Sequence, residues 1–238
     1  MIDPTATLLH DWPVGWHVEV VDETGSTNAD LLAAAASGAP HRSVLAARHQ
    51  TAGRGRLDRR WDAPAGANLL VSILFREIPN PPVELTWRVG LAACAAVRAV
   101  AGVEARLKWP NDLLVDGRKL AGILAQASLT GPGGPAVVVG VGMNVRWAPE
   151  GAAQLGEGVD PLEVLASMLR ELDALPADVQ PEYRAALGTL GTQVRAELPG
   201  GDVVEGRAVD VEPDGRLVVL DACAITHRFD VADIVHLR

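Results

Sequence analysis

The sequence changes character near residue 191, and this change constrains the fold more than any other feature. Before it, apolar strand-like runs alternate with longer alanine- and leucine-rich segments of helical character. After it, short alternating segments are separated by glycine-containing turns, the pattern of a small all-β barrel. We therefore expect an α/β (α+β) domain with a mixed sheet over residues 1–190 and a β-domain over 191–238. The four strands predicted for the β-domain are 192–198, 203–211, 216–221 and 225–229.

Composition narrows the functional classes. With 238 residues, 48% of them hydrophobic, the chain is long enough for one full core and a smaller second one. It has no apolar run of the roughly 18 residues that a membrane helix needs, and its first residues lack the features of a signal peptide. We expect a cytoplasmic protein that does not associate with membranes. The formal net charge of −9 disfavours non-specific binding to nucleic acid.

Cysteine and lysine usage are both informative. Cys94 and Cys223 lie far apart with no metal-ligand spacing, which argues against a zinc site. The chain has nineteen arginines but only two lysines, Lys108 and Lys119, which lie close together. A site that needs a compact, rotatable ammonium group cannot use a planar guanidinium. The two lysines therefore mark a segment in which to look for chemistry.

The segment that contains Lys119 reads as a β-hairpin. The turn Asp116–Gly117 is a strong hairpin signal, and a two-residue turn fixes the register of the strands around it. Leu114 then faces Lys119, and Asp112 faces Ala121. Because side chains alternate between the two faces of a strand, Asp112 and Lys119 are predicted to lie on the same face as diagonal neighbours.

A long polar interval, Gln50–Trp61, separates two predicted strands and carries four arginines and two glycines. We call it the arginine loop. Glycines let a backbone approach a ligand closely, and arginines neutralise anionic oxygens. Two other interpretations stay open at this point: a solvated basic loop without a ligand, and a contact with nucleic acid.

Aromatic and amide side chains adjoin these segments. Trp61 and Trp109 can face an apolar ligand or belong to the core, and Asn111 and Asn144 can bind a ring edge or cap turns. The sequence Gly140-Val141-Gly142 has half of a dinucleotide-binding fingerprint, without its third glycine. A Rossmann fold is therefore not expected. Cations, amides and apolar walls together suit the activation of a carboxylate by ATP, in which two anions must meet.

Four motifs stand in an order and spacing that resemble the biotin protein ligase family: GRGR followed by arginine and tryptophan, KWPND, KLAGI and GVGMN. The resemblance implies a catalytic domain of the biotin/lipoate ligase type and an SH3-like C-terminal domain. It implies that biotin and ATP, with Mg²⁺, form biotinyl-5′-AMP, and that biotin then passes to a lysine of a biotin carboxyl carrier domain.

The resemblance also implies site residues. Catalysis is assigned to Lys119 with Arg54 and Arg56. Biotin is expected to contact Ser26, Thr27, Asn28, Gln50, Gly53, Arg54, Gly55, Arg56, Lys119, Gly122, Leu124 and Gly142. ATP and the adenylate are expected to contact Arg54, Arg56, Arg59, Trp61, Asn111, Lys119 and Asn144. For Asp112 we predict binding of Mg²⁺ or orientation of Lys119.

This chain departs from the common family pattern in some features, and other features leave alternatives open. Leu57-Asp58 makes the arginine loop less cationic than is common, which bears on retention of the adenylate. The short segment before the first strand leaves no room for a winged helix-turn-helix, so no DNA binding is expected. A homodimer through the strand 120–129 is possible. The rival functions are a lipoate or octanoate ligase on the same fold and a non-catalytic nucleic-acid-binding module.

Overall fold

The computed structural model describes residues 11–56, 59–129, 131, 133–198, 200–230 and 232–237. Leu57 and Asp58 lie outside the described residues. The strands are β1 His17–Thr24, β2 Ser43–Gln50, β3 Leu69–Phe75, β4 Arg106–Lys108, β5 Asp112–Val115, β6 Arg118–Ser128, β7 Ala136–Met143, β8 Gln193–Glu197, β9 Val203–Val211, β10 Leu217–Asp221, β11 Thr226–Phe229 and β12 Asp233–His236. The helices are α1 Thr27–Ala36, α2 Glu84–Ala101, α3 Pro161–Ala174 and α4 Gln180–Ala186.

The first seven strands form one mixed sheet in the order β1-β2-β3-β7-β6-β5-β4. The β1–β2 pair is parallel and the others are antiparallel. This arrangement confirms the predicted mixed α/β class. Strands β3, β7 and β6 lie at the centre, and all seven residues of β3 are buried.

The two faces of the central strands pack differently. On one face, Val137, Val139 and Val141 of β7 join a large apolar core that includes residues of α2 and α3. On the other face, Ala136 and Val138 pack with residues of α1 in a smaller cluster. Alternation along the strand separates these two sets. The smaller cluster covers only part of its face, which leaves the rest of that face free to build a site.

The last five strands form an antiparallel sheet in the order β11-β10-β9-β8-β12. The four predicted strands are present with ends shifted by one residue or less, but β12 was missed because DVADIVHL has little apolar alternation. The described pairings of this sheet run from β11 to β12 and include no pair that closes it. The predicted all-β architecture is confirmed, whereas a closed barrel is not seen in the described strands.

Buried hydrogen bonds join the two sheets. The indole Nε1 of Trp109 donates to the carbonyl of Gly215 at 2.9 Å, and Trp109 N donates to Oγ1 of Thr189 at 3.0 Å. Trp109 is 3% exposed. It is thus a core residue that joins the sheets, the second of the two roles considered for it. None of the helices in the described part of the chain has both the length and the apolar character needed to cross a membrane.

Candidate active site

The floor of the candidate site is a stretch of the central sheet that lacks large side chains. In the observed register, Gly142 of β7 pairs with Gly122 of β6, and the next position on the same face, Gly140, pairs with Leu124. On the opposite side, Ser72 of β3 pairs with Gly140. Paired residues share a face. The two β7 glycines therefore continue the row of Ala136 and Val138 and leave a trough where side chains would otherwise project.

The arginine loop folds back over this trough. Trp61 N donates to Gly53 O at 3.0 Å, and Arg54 and Arg60 form an isolated antiparallel bridge, so the two described ends of the loop pair in antiparallel fashion. The Trp61 ring rests on the glycine floor: a Cβ built on Gly142 would lie 2.5 Å from a ring atom. The Nε1 atom of Trp61 is buried and has no hydrogen-bond partner. Only glycine at position 142 allows the indole to approach this closely.

Lys119 reaches the trough because strand β6 carries an irregularity. The predicted pairing of Leu114 with Lys119 is confirmed, but Asp112 pairs with Gly122 and not with Ala121, as the register shifts between Leu113 and Leu114. The prediction for Asp112 and Ala121 assumed uniform alternation and is wrong. A bulge inserts one residue and reverses the faces that follow. Lys119 and Gly122, three residues apart, thereby point to the same side.

The predicted meeting of Lys119 and Asp112 is confirmed. Lys119 Nζ lies 2.7 Å from Oδ1 of Asp112. The side chain of Lys119 is 40% exposed and that of Asp112 is 20% exposed. The same ammonium lies 5.7 Å from the centre of the Trp61 ring, within range of a cation–π contact. A positively charged group thus stands between an indole and a carboxylate at the mouth of the trough.

Two asparagines hold the surrounding backbone. Asn144 is 3% exposed, and its Nδ2 donates to Ala153 O at 3.1 Å, while its backbone N donates to Leu120 O at 2.8 Å, within the irregular part of β6. Asn111 Nδ2 donates to Ile123 O at 2.7 Å, and its Oδ1 accepts from Arg56 at 3.2 Å. Both amides therefore have the structural role that was the alternative to ligand binding, and both still line the cavity.

A network of neutral groups, buried at its centre and half-buried to exposed at Gln50 and Gln126, lies at the other end of the trough. Gln50 Oε1 accepts from Thr27 N at 2.8 Å, and the Ser72 hydroxyl contacts Thr27 Oγ1 at 2.8 Å and Asn28 Oδ1 at 2.6 Å. Asn28 Nδ2 donates to Gln126 Oε1 at 2.9 Å. Ser72 is fully buried, and Thr27 and Asn28 are nearly so. We call these five residues the neutral network.

The cavity over the trough has a volume of about 390 Å³. Its charged lining residues are Arg56, Arg59, Arg60, Lys119, Asp62, Asp112 and Asp233. A neighbouring cavity of about 570 Å³ shares Arg56, Leu124 and Asn111 with it and adds Arg54 and Gln126. Arg54 therefore lies beside the second cavity and not beside Lys119. Six predicted site residues belong to neither lining: Ser26, at the N-cap of α1, Thr27, Asn28, Gln50, Gly53 and Gly142.

Electrostatics distinguish the cations. Burial lowers the pKa of the Arg56 guanidinium, against opposing contributions from Asp233 and Asp112. Burial also lowers the pKa of Lys108, the second lysine, whose strand is paired with that of Asp112. A half-buried cation keeps a strong field because little water screens it. Arg56 is thus suited to bind an anion that enters the cavity.

The sequence analysis missed three residues of this site. Ser72 is the one hydroxyl in the buried run LLVSILF, and this signal could have identified it. Gln126 is the corresponding polar residue of β6. Asp233 comes from the missed strand β12 and reaches the arginine loop from the other sheet. No local pattern indicates that contact, because it depends on how the two sheets pack.

Comparison with known proteins places this geometry in a family. Residues 20–144 match the model of the biotin/lipoate A/B protein ligase family, and residues 189–237 match that of the biotin protein ligase C-terminal domain. The biotin–[acetyl-CoA-carboxylase] ligase of Mycobacterium tuberculosis is 44% identical, over 94% of this chain and 91% of that protein. The bifunctional ligase/repressor BirA of Escherichia coli is 34% identical, over 71% of this chain and 51% of that protein.

Solved structures agree in fold. The biotin protein ligase of Aquifex aeolicus in complex with biotin and ATP superposes with a TM-score of 0.75, at 23% identity, over 93% of this chain and 99% of that one. A ligase from Leishmania major in complex with biotinyl-5-AMP gives a TM-score of 0.66 at 23% identity, over 92% of this chain and all of that one. The chain with the glycine trough, the arginine loop and Lys119 belongs to the biotin protein ligase family.

Proposed function

We propose that this protein activates biotin with ATP to form biotinyl-5′-AMP and transfers the biotinyl group to a lysine of a biotin carboxyl carrier domain. The observation that carries the proposal is the position of Lys119 Nζ, 2.7 Å from Asp112 in a cavity lined by arginines above a glycine floor. An ammonium at this point can contact two anionic groups at once. Family membership and the 44% identical ligase support the same reaction.

The first step joins two anions. A carboxylate oxygen of biotin attacks the α-phosphorus of ATP, the new carbon–oxygen–phosphorus linkage forms, and pyrophosphate leaves. Negative charge builds on the α-phosphoryl oxygens during transfer, where a preorganised cation stabilises it most. Lys119 supplies that charge, and Arg56 lowers the repulsion between the reagents. In the second step the acceptor amine attacks the acyl carbon and AMP leaves.

The neutral network fits the uncharged end of biotin. A ureido ring offers two N–H donors and one carbonyl acceptor, and hydroxyl and amide groups can match both kinds. Thr27, Asn28 and Gln50 supply such groups beside the glycine trough. We assign biotin binding to these three residues with Ser26, Gly53, Gly55, Gly122, Leu124 and Gly142, and its carboxylate to Arg56 and Lys119. Arg54, which lines only the neighbouring cavity, is proposed to add positive charge from there.

The nucleotide is assigned to the opposite end of the cavity. Arg59 and Trp61 come from the arginine loop, and Asn111 and Asn144 line the same space. An indole against the ammonium of Lys119 offers a flat apolar surface on which a base can stack. Because both amides already hold backbone groups, we infer that they shape this half of the cavity more than they read the base.

Magnesium is proposed to enter with ATP. The described residues contain no group of three or more His, Cys, Asp or Glu side chains that could hold a metal ion. Magnesium commonly binds through one or two carboxylates together with substrate phosphates, and Asp112 can supply one. Its carboxylate also contacts Lys119, so Asp112→Asn separates the two roles. Loss of the magnesium dependence of adenylation supports metal binding, and an unchanged dependence with slower turnover supports orientation of Lys119.

Pyrophosphate release tests the function. The protein is mixed with magnesium, ATP and either biotin, lipoate or octanoate. Release that requires biotin is expected, and transfer is checked by labelling of a purified biotin carboxyl carrier domain. Release that requires lipoate or octanoate would instead assign the protein to the other branch of the fold. No release with any of the acids would contradict the proposal.

The partners follow from this reaction. The expected acceptor is a carrier domain such as that of acetyl-CoA carboxylase, and no DNA contact is proposed. A homodimer through β6 is also proposed: β5 ends opposite Gly122, and among the described strands residues 125–127 pair with β7 alone. Sedimentation with and without biotin and ATP tests it.

A further inference from the structure

One carboxylate of the cavity comes from the C-terminal sheet. Asp233 is the first residue of β12, and its Oδ2 accepts a hydrogen bond from Nη2 of Arg59 in the arginine loop. The side chains are 36% and 61% exposed, respectively. Asp233 lines the same cavity as Lys119 and Asp112. The contact therefore links a cation of the arginine loop to a strand of a different sheet.

A carboxylate in a cavity that receives a polyphosphate needs a physical reason, since like charges repel. The three aspartates of the lining are all paired with cations: Asp62 with Arg60, Asp112 with Lys119, and Asp233 with Arg59. The first pair joins neighbours at the end of the arginine loop, and the second lies within one hairpin. Of these three ion pairs, the Asp233 pair is the one that ties the arginine loop to the C-terminal sheet.

Two roles for Asp233 are physically distinct. As a competitor, it would occupy Arg59 and weaken binding of phosphate. As a positioning residue, it would hold Arg59 in one orientation and so reduce the entropy lost when phosphate binds. The geometry favours the second role: Asp233 uses one guanidinium nitrogen, and the remaining N–H donors of Arg59 stay available to phosphate oxygens.

We propose that Asp233 is a positioning residue for ATP, which holds Arg59 so that the C-terminal sheet strengthens nucleotide binding. The inference rests on the proposed function. The negative charge of Asp233 also acts on Arg56. Among the effects that raise the pKa of the Arg56 guanidinium, and so oppose the lowering by burial, that of Asp233 is the largest. Asp233 thus lies near Arg59, which we assign to the nucleotide, and near Arg56, which we assign to the biotin carboxylate.

The test measures steady-state pyrophosphate release for Asp233→Asn, Arg59→Gln and the double variant, with the biotin dissociation constant measured without ATP. Asp233→Asn is expected to raise the KM for MgATP about fivefold, the scale of a partly exposed ion pair. Its kcat and biotin affinity stay within about twofold. Asp233→Asn adds little in the Arg59→Gln background, because the partner is already lost. Asp233→Glu, which keeps the carboxylate, should recover part of the affinity for MgATP that Asp233→Asn loses.

Glu197→Gln is the matched control. Glu197 pairs with Asp233 across β8 and β12, but its carboxylate binds Arg195 at 3.2 Å. Glu197→Gln should leave the KM for MgATP, the kcat and the biotin dissociation constant unchanged. If Asp233→Asn acted only by loosening the C-terminal sheet, Glu197→Gln would be expected to change these constants as well. A lower KM for MgATP in Asp233→Asn would show that Asp233 competes with phosphate for Arg59, and would overturn the proposal. An unchanged KM, or effects of Asp233→Asn and Arg59→Gln that add in the double variant, would overturn it as well. If the unaltered protein released no pyrophosphate, the proposed function itself would fail first.

Discussion

The two ends of the site are built from different forces. The neutral network is buried at Thr27, Asn28 and Ser72, and each of its described contacts joins uncharged groups. The arginine-loop end is more exposed and is held by ion pairs, with the Arg59 side chain 61% and Arg60 69% exposed. Buried hydrogen bonds fix geometry and are insensitive to salt, whereas exposed ion pairs are weak and screened. We therefore expect the first end to be preformed and the second to become more ordered when an anion binds.

Lys119→Arg tests the junction of the two ends and has the largest expected effect. A planar guanidinium cannot occupy the place of a compact ammonium beside Asp112 and Trp61. Adenylation measured by pyrophosphate release should fall about a hundredfold or more, with an unchanged unfolding curve. Lys108→Arg, at the other lysine, is the control and should keep most of the activity. Near-normal turnover of Lys119→Arg would show that the ammonium is not special.

Alanine at two neighbouring glycines separates the two ends directly. A Cβ on Gly140 would lie 2.2 Å from Asn28 Oδ1, in the neutral network, and one on Gly142 would lie 2.5 Å from the Trp61 ring. The buried Asn28 cannot move without losing hydrogen bonds, but the loop can. Gly140→Ala should lower the free energy of unfolding by about 2 kcal/mol and weaken biotin binding about tenfold.

Gly142→Ala should act mainly through Trp61: it should raise the KM for ATP several-fold and weaken biotin binding less than Gly140→Ala does, with a stability loss below about 1 kcal/mol. Equilibrium denaturation and the two binding constants, measured on both variants, check the pair. Equal effects of the two variants on biotin affinity and on the KM for ATP would remove the distinction between the ends.

Ionic strength should affect one end only. Raising NaCl from about 50 to 500 mM shortens the Debye length from roughly 14 to about 4 Å and weakens the exposed ion pairs and their contacts with phosphate. The KM for ATP should rise about threefold to tenfold. Binding of biotinol, the uncharged alcohol related to biotin, should change less than about twofold. A parallel weakening of both would indicate that the neutral network also depends on charge.

The smallest effect concerns pH and the strand that carries Asp233. Burial, with a smaller effect of Lys108, lowers the pKa of His236 below 6.5, and its Nε2 lies 3.2 Å from Thr189 Oγ1. As pH falls, His236 therefore binds a proton in the unfolded chain at a higher pH than it does in the folded chain. The contribution of neutral His236 to the free energy of unfolding is therefore fully present above about pH 6.5, and it is lost as pH falls towards the folded-state pKa. His236→Gln should reduce that loss by less than about 1 kcal/mol in denaturation curves at pH 7.5 and 5.5.

The sequence predicted much of this site because several signals agreed. Continuous apolar runs located the central strands, the Asp116–Gly117 turn fixed the start of the hairpin, and lysine scarcity pointed to the segment that contains Lys108 and Lys119. The contact of Lys119 with Asp112 was predicted correctly from a register that was wrong by one residue at Asp112. Periodicity assumes uniform strands, so a bulge is invisible to it until the neighbouring strand is known.

What the sequence determined by itself is the class of the chain: a mixed α/β unit, a following all-β sheet, and motifs that identify the family. These follow from local patterns of apolar residues, glycines and charges. Tertiary structure alone decided that Gly140 and Gly142 lie under Asn28 and Trp61, and that Asp233 meets Arg59 across 174 positions. Such contacts depend on how sheets pack and strands shift, which no local pattern encodes.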